Sequence, residues 1–162
     1  MTIAVGDKLP DVTLRLVTPD GPKPVPAKDY FAGKTVVLFG LPGAFTPTCH
    51  KNHLPGFLER EAQFKAKGVD AIAMTTVNDP FVLKAWESAT GSAGHIDFLA
   101  DGSADFAKAL GLDFDGSANG MGVRSKRYSM LVRDGVVKEL NIEPNPGKAD
   151  VSGAEVLLGQ IK

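Results

Sequence analysis

The stretch Thr35-Val-Val-Leu-Phe-Gly40 followed by Leu41-Pro-Gly-Ala-Phe-Thr-Pro-Thr-Cys49-His50 carries the strongest fold signal in the chain. Its first six residues form a continuous apolar run, which is typical of a strand buried on both faces of a parallel sheet. Helix-forming residues follow from about residue 48 to residue 67, interrupted by Pro55-Gly56. A buried strand that leads directly into a helix indicates an α/β fold, with Cys49 at the junction.

Working outward from this stretch, apolar patterns and turn residues predict further strands and helices. Pro55 is expected to kink the helix that follows Cys49. Arg133-Asp-Gly135 separates two apolar runs and predicts a β-hairpin. The expected strands are 11–17, 35–40, 71–76, 95–100, 127–132 and 136–142, the expected helices are 48–67, 78–88, 103–110 and 152–162, and residues 19–26 are expected to form a loop.

This order of elements is similar to a thioredoxin-like fold: a central mixed sheet flanked by helices, with an N-terminal strand extension. Strands that alternate with helices imply a parallel sheet covered on both faces, and the hairpin adds antiparallel strands. With 162 residues and no internal repeat, we expect one domain over residues 1–162. The cysteine would then lie at the carboxyl end of a sheet strand, where α/β proteins place their sites.

Composition excludes several functional classes. The chain has 18 basic and 19 acidic residues and a formal net charge of -1, so no nucleic-acid or membrane surface is expected. No apolar stretch approaches the ~20 residues of a membrane-spanning helix. The first residues lack the basic and apolar regions of a signal peptide. One cysteine cannot form an internal disulfide, which fits a reducing compartment, and we expect a cytoplasmic protein.

Cys49 has two interpretations. A lone cysteine is usually a small, inert core residue. Here Pro42, Gly43 and Pro47 build a rigid turn before it, and the hydroxyls of Thr46 and Thr48 lie close by in sequence. The unpaired N–H groups of a first helical turn carry partial positive charge, which favours a thiolate. These features favour a reactive cysteine.

The same residues match the pattern Pro-x-x-x-Thr-x-x-Cys, filled by Pro42, Thr46 and Cys49. The string Pro42-Gly-Ala-Phe-Thr-Pro-Thr-Cys49 resembles the active-site loop of the type II peroxiredoxins. Further stretches resemble landmarks of that family: Val77-Asn-Asp-Pro-Phe-Val82, Ala100-Asp-Gly102 and Gly122-Val-Arg-Ser125. The resemblance implies a thiol peroxidase that reduces hydrogen peroxide and organic hydroperoxides through a sulfenic acid on Cys49.

Peroxide reduction needs an ionised sulfur, a correctly held peroxide and positive donors for the charge on the leaving oxygen. We expect Cys49 to be the nucleophile, and the Thr46 hydroxyl to lie beside the sulfur, where it can bind a peroxide oxygen and support the thiolate. Pro42 is expected to exclude water, and Gly43 to let a backbone N–H approach the peroxide. These last two residues form the predicted substrate-binding set.

The positive donor must come from a distant part of the chain. The family resemblance implies Arg127, which precedes the aromatic Tyr128 at a strand start. Arg124 and Lys126 are expected to face solvent, as clustered charges usually do. His53, four residues after Cys49, is expected to orient or pack the helix rather than to act as a base.

Recycling and assembly are further expectations. Many relatives have a second cysteine near the position of Met74 or near the C-terminus, and this chain has none. Its absence favours an external thiol, glutathione or glutaredoxin, over thioredoxin. We expect a homodimer through the loop around Phe45 and the turn Asp79-Pro-Phe81, because exposed apolar patches mark interfaces and type II members often dimerise there.

No cofactor is expected, and Cys49-x-x-x-His53 is too sparse for a structural zinc site, which needs four ligands. Two other classes of function stay open. A glutaredoxin-like thiol-disulfide oxidoreductase would need a Cys-Pro-x-x motif at the helix start, whereas Pro47-Thr48 precede the cysteine here. A non-enzymatic binding module on a thioredoxin-like scaffold would tolerate replacement of Cys49.

Overall fold

A seven-stranded mixed sheet forms the centre of the molecule, in the order β2-β1-β5-β4-β3-β8-β9. The structure is a computed structural model that describes residues 1–145 and 147–161. Strands β3, β4 and β5 are parallel, and the outer strands pair antiparallel. The strands are β1 Thr13–Thr18, β2 Gly21–Pro26, β3 Thr35–Gly40, β4 Ala71–Thr76, β5 Asp97–Ala100, β8 Tyr128–Arg133 and β9 Val136–Ile142, and a separate pair is β6 Asp113–Asp115 and β7 Val123–Ser125.

Helices cover both faces of this sheet, which confirms the predicted central mixed sheet flanked by helices. They are α1 Ala27–Phe31, α2 Leu54–Glu59, α3 Glu61–Ala66, α4 Pro80–Thr90, α5 Asp105–Leu110 and α6 Ala154–Gln160, with a π-helical turn over Cys49–His53 and a 3-10 turn over Ser117–Asn119. Among the described residues, no helix combines the length and hydropathy that a membrane crossing requires.

Strand β3 lies between two apolar layers, as its continuous apolar sequence predicts. Val37 and Phe39 pack on one side, in the layer that contains Cys49. Val36 and Leu38 pack on the other. Because successive strand residues point to opposite faces, only a run without polar interruptions can serve both layers.

The pairing of β3 with β8 positions one end of the sheet. Gly40, the last residue of β3, lies opposite Tyr128, the first residue of β8. A Cβ atom on Gly40 would collide with the Tyr128 ring, so only glycine fits there. Residue 127 therefore emerges beside the loop that follows β3, and this register brings Arg127 to the cysteine.

The segment 19–26, expected as a loop, contains strand β2. Its prolines occupy alternate positions opposite β1: Pro22, Pro24 and Pro26 pair with Val17, Arg15 and Thr13. β2 lies at the edge of the sheet. Since alternate residues of a strand direct their backbone groups to the same side, all three missing N–H donors fall on one side, and an edge strand tolerates that.

The helix after Cys49 also differs from the prediction of one helix kinked at Pro55. It begins as the π-helical turn, whose last bond joins the Leu54 N–H to the Cys49 carbonyl. Pro55 follows as one of the first residues of α2, where its missing N–H is least costly. The break lies instead at Arg60, with φ -106 and ψ 13. A wide turn ahead of the proline replaces the kink.

The predicted hairpin is confirmed. Asp134 and Gly135 join β8 to β9 with φ values of 49 and 78, which is the positive-φ pair of a type I′ turn. The short helix α1 and the pair β6–β7 were not predicted, because neither has a long periodic pattern.

Candidate active site

Cys49 begins the π-helical turn and is completely buried. The chain is already helical at Thr48, with φ -67 and ψ -39, so the thiol lies in the first helical turn after the loop 41–46. Arg127 Nη2 donates a hydrogen bond to Cys49 Sγ at 2.9 Å. This bond places a fixed positive charge and a hydrogen-bond donor directly at the sulfur.

Arg127 is itself 2% exposed. It reaches the sulfur from the residue before β8, at the register that Gly40 and Tyr128 set. Its Nη1 lies 3.0 Å from His53 Nδ1. The guanidinium always donates, so Nδ1 must accept. The predicted nucleophile and the predicted arginine are thus brought together although 78 positions separate them.

His53 has one tautomer in this arrangement. Since Nδ1 accepts from Arg127, the proton is on Nε2, which donates to the Ser152 carbonyl at 3.0 Å. Burial first and the Arg127 charge second lower the pKa of His53 to about 3, although the Ser152 carbonyl acts in the opposite direction. His53 is therefore neutral at physiological pH with both nitrogens engaged. This geometry agrees with an orienting role and not with that of a base.

The contacts of His53 continue to a buried carboxylate. Glu143 Oε2 accepts from the Ser152 N–H at 2.7 Å and from the Ser152 hydroxyl at 2.6 Å. Glu143 N–H also donates to the Arg127 carbonyl at 2.9 Å. A chain of hydrogen bonds thus runs from Glu143 through Ser152, His53 and Arg127 to the sulfur. Sequence reasoning missed Glu143 and Ser152, because neither lies in a motif with Cys49.

The Thr46 hydroxyl makes a hydrogen bond that the sequence did not predict. It donates to the Gly43 carbonyl at 2.7 Å, inside the tight turn of the loop. Its single proton is therefore committed, and the oxygen retains lone pairs that can accept from the O–H of a peroxide. The predicted acceptor role is available, but the hydroxyl proton supports a carbonyl and not the thiolate.

An open cavity of about 280 Å³ is lined by Arg127 and by residues of the loop that leads to Cys49. It brings together three predicted site residues, Pro42, Thr46 and Arg127. Cys49 and Gly43 are buried and are not among the residues that line this cavity. The remaining lining residues are Pro47, Thr48, Phe114, Asn119, Met121 and Gly147. The segment 116–122 contains the 3-10 turn Ser117–Asn119 and contributes Asn119 and Met121 to the lining.

Arg124 does not face solvent as expected. It is half-buried, and its guanidinium binds three backbone carbonyls: Nε donates to Met121 at 2.8 Å, and Nη1 donates to Pro42 at 3.3 Å and to Val77 at 3.2 Å. A Cβ on Gly43 would lie 3.0 Å from Nη1, so glycine leaves the room that this arginine needs. Arg124 therefore holds the loop after β3.

Asn78 supports the same loop from the other side. Its Oδ1 accepts from the Ala44 N–H at 3.0 Å and from the Thr76 hydroxyl at 3.2 Å. The helix predicted to start near residue 78 is capped by Asp79, whose Oδ1 accepts from Phe81 N and Val82 N. Asn78 therefore positions the loop after β3, a role that the predicted helix start at residue 78 did not indicate.

Within residues 1–145 and 147–161, no group of three or more His, Cys, Asp or Glu side chains could hold a metal ion. The groups that this site brings to a reaction are the sulfur, one buried guanidinium, a hydroxyl oxygen and a cavity open to solvent.

Comparisons with known proteins agree with this chemistry. The Redoxin family model matches residues 4–158. "Peroxiredoxin-2E-2, chloroplastic" of Oryza sativa is 51% identical over 97% of this chain and 72% of its own length. "Peroxiredoxin-2C" of the same plant is 48% identical over 96% of both chains. The structure of reduced Prx3 from Vibrio vulnificus in complex with hydrogen peroxide has a TM-score of 0.94 and 50% identity, covering 99% of this chain and 100% of that one.

The likeness to solved peroxiredoxins confirms the thioredoxin-like fold, and the identities confirm the family that the sequence resembles. A site built around one buried thiol and one guanidinium is what thiol-dependent peroxide reduction requires. The chain belongs to the type II peroxiredoxins and is a thiol-dependent peroxidase.

Proposed function

We propose that Cys49 reduces hydrogen peroxide and organic hydroperoxides in a single-cysteine cycle. The observation that carries this proposal is the 2.9 Å hydrogen bond from Arg127 Nη2 to Cys49 Sγ, behind a cavity lined by Pro42 and Thr46. The Vibrio relative was crystallised with hydrogen peroxide, which supports the same small substrate for this chain.

In the first step, the Cys49 thiolate attacks one peroxide oxygen. The S–O bond forms as the O–O bond breaks, the leaving oxygen takes a proton to become water or alcohol, and Cys49 becomes a sulfenic acid. Arg127 offers positive charge to the oxygens as negative charge develops on them. The Thr46 oxygen can accept the peroxide O–H, and Pro42 limits the entry of water.

The second half of the cycle needs an external thiol, because the chain has one cysteine. A thiol attacks the sulfenic acid to give a mixed disulfide and water, and a second thiol releases Cys49. Met74, near which the family resemblance implies a second cysteine in many relatives, is fully buried in β4. We favour glutathione or glutaredoxin over thioredoxin as the reductant.

Replacement of the thiol tests this proposal. Cys49→Ser should abolish peroxide consumption while its far-UV spectrum stays that of the wild type. In the wild type, one equivalent of peroxide should give a sulfenic acid, and glutathione should then add one glutathione mass. Peroxide turnover by Cys49→Ser would contradict the proposal, and so would a Cys49–Cys49 dimer as the main oxidised product.

We also propose a homodimer formed near the active site. Phe45 is 50% exposed and Phe81 is 71% exposed. The Phe45 ring stacks on His50 with 5.8 Å between centroids, and His50 Nδ1 accepts from the Trp86 N–H at 2.9 Å. Phe45 is therefore a rigid apolar projection, the kind of residue that anchors interfaces.

Sedimentation measures this assembly directly. The wild type should have the mass of two chains at micromolar concentration, and Phe81→Asp should shift it to one. Val5→Asp is the matched control, because Val5 is also exposed, at 59%. A single-chain mass for the wild type at high micromolar concentration would contradict the dimer.

For localisation we propose the cytoplasm, in keeping with the single unpaired cysteine. One of the relatives named above is chloroplastic. Fluorescence microscopy of the full-length protein in its source cells tests this proposal, and an organellar signal would contradict it.

A further inference from the structure

A second concave surface adjoins the active-site cavity and has a different character. This groove has a volume of about 460 Å³ and shares three residues with the cavity, namely Pro47, Thr48 and Gly147. The Thr48 hydroxyl donates to the Gly147 carbonyl at 2.7 Å, and this contact lies where the two spaces meet. The groove is completed by Lys51, Asn52, Lys148, Ala149 and Asp150.

Three charged side chains line the groove, whereas the cavity has one, Arg127, beside Phe114 and Met121. Lys51, Lys148 and Asp150 are all exposed. Over the described part of the chain, neither of these ammonium groups lies within ion-pair distance of a carboxylate, in contrast with Lys65, which pairs with Glu61 at 3.1 Å. Two cations and one anion thus line a groove that includes Thr48, the residue before Cys49.

We propose that this groove binds the small anionic thiol that recycles Cys49, and that Lys51 and Lys148 hold its carboxylates. A thiol of the glutathione type carries two carboxylates and one ammonium, which matches two lysines and one aspartate. Complementary charges raise the rate of encounter and fix the orientation of a ligand more than they add affinity. This inference rests on the proposed function, because it concerns the second half of the same cycle.

In the recycling step, the bound thiol supplies both the attacking sulfur and the proton that the leaving hydroxide takes. The thiol sulfur bonds to Cys49 Sγ as the S–O bond of the sulfenic acid breaks, and the hydroxide leaves with the thiol proton as water. A second thiol then attacks the outer sulfur of the mixed disulfide, which returns Cys49 to its reduced form and leaves a small-molecule disulfide. We expect peroxide to enter the cavity lined by Arg127, while the adjoining groove holds the thiol near Lys51.

The test separates the two half-reactions. Lys51→Gln, Lys148→Gln and the double variant are compared with Lys23→Gln, an exposed lysine on the edge strand β2. Sulfenic acid is formed with one equivalent of peroxide, and its disappearance is then followed with glutathione and, separately, with uncharged 2-mercaptoethanol. Each half-reaction yields its own rate constant.

Each single substitution should slow recycling by glutathione about two- to fivefold, the range for one exposed ion pair, and the double variant about five- to twentyfold. These losses should shrink at high salt. Reaction with peroxide, recycling by 2-mercaptoethanol and all rates of Lys23→Gln should stay unchanged.

Three outcomes would overturn the inference: a double variant that glutathione recycles at the wild-type rate, an equal loss with 2-mercaptoethanol, or a loss that appears only when glutaredoxin is added. The last would assign the lysines to docking of a protein. A wild type that forms no sulfenic acid would contradict the proposed function itself, and that failure is visible before any reductant is added.

Discussion

The neutral state of His53 links the active site to the pH dependence of stability. Burial and the Arg127 charge hold the pKa of His53 at about 3 in the folded chain, whereas an unfolded histidine has a pKa near ~6.5. Between these values the unfolded chain binds a proton that the folded chain does not. The contribution is therefore fully present above about pH 6.5 and is lost as the pH falls towards the folded value.

The magnitude follows from the shift. Each pH unit below about 6.5 lowers the free energy of unfolding by roughly 1.4 kcal/mol, so the loss from this one group is roughly 2 kcal/mol at pH 5. That is a large share of the about 5–15 kcal/mol of a typical domain. Protonation would also place an N–H on Nδ1 against the Arg127 guanidinium, where two donors face each other.

Two substitutions separate the contacts of the ring. His53→Asn keeps an acceptor near Nδ1 for Arg127, whereas His53→Gln keeps a donor near Nε2 for the Ser152 carbonyl. Both lose the contacts of the ring with Phe39 and Phe57, whose centroids lie 5.1 Å and 5.5 Å away. Both should be less stable than the wild type at pH 7.5, and neither can take up the proton.

Urea denaturation at pH 7.5, 6 and 5 measures the effect. The wild type should lose roughly 2 kcal/mol more than either variant between the highest and lowest pH. His95→Asn is the matched control, because His95 is on the surface, where its Nδ1 lies 2.7 Å from Glu61. Parallel pH profiles for the wild type and His53→Asn would refute the reasoning.

Activity gives a second readout. We expect peroxide to react about tenfold more slowly with His53→Gln than with His53→Asn at pH 7.5, because only asparagine keeps an acceptor for Arg127 and small misplacements of a positioned group are costly. Equal rate constants would show that Arg127 is held without His53.

Three other predictions concern neighbouring residues. Arg127→Ala should lower the second-order rate constant for peroxide by about 10²–10³, and Arg127→Lys should still be clearly impaired because it lacks the planar fork, as stopped-flow oxidation would show. Arg124→Ala should lower the same rate constant by about tenfold, because Pro42 loses its bond to the guanidinium. Lys126→Ala is the control. A wild-type rate constant for Arg124→Ala would show that Arg124 does not position the loop. Gly40→Ala should lower the free energy of unfolding in urea by about 1–3 kcal/mol through overpacking against the buried Tyr128 ring, and an unchanged transition would contradict the tight fit there.

Local sequence patterns were sufficient for the elements that depend on near neighbours. The apolar run 35–40 predicted a strand covered on both faces, and Asp134-Gly135 predicted the hairpin turn. The octapeptide ending at Cys49 indicated the family. Each of these signals is complete within a few residues, because backbone preferences and side-chain alternation act over that range.

Predictions failed where the partner of a residue lies elsewhere in the chain. The three prolines of β2 favoured the prediction of a loop. Their pairing with β1 instead places all three missing N–H donors on one side of an edge strand. Arg124 looked like a surface charge, yet it binds the carbonyls of Pro42 and Val77, which are 82 and 47 positions away. Charge and spacing alone do not show which carbonyls a guanidinium reaches.

The sequence by itself determined which thiol is the candidate nucleophile, since there is one cysteine and it follows a recognisable loop. Only the tertiary structure decided how that sulfur is held. The register of β3 with β8 brings Arg127 to Cys49, and the return of the chain after β9 brings Ser152 to His53 across 99 positions. The physical reason is that the residues next to the cysteine in sequence form the loop that identifies it. The charged and polar groups around the sulfur come from distant segments, and strand pairing and packing bring them together.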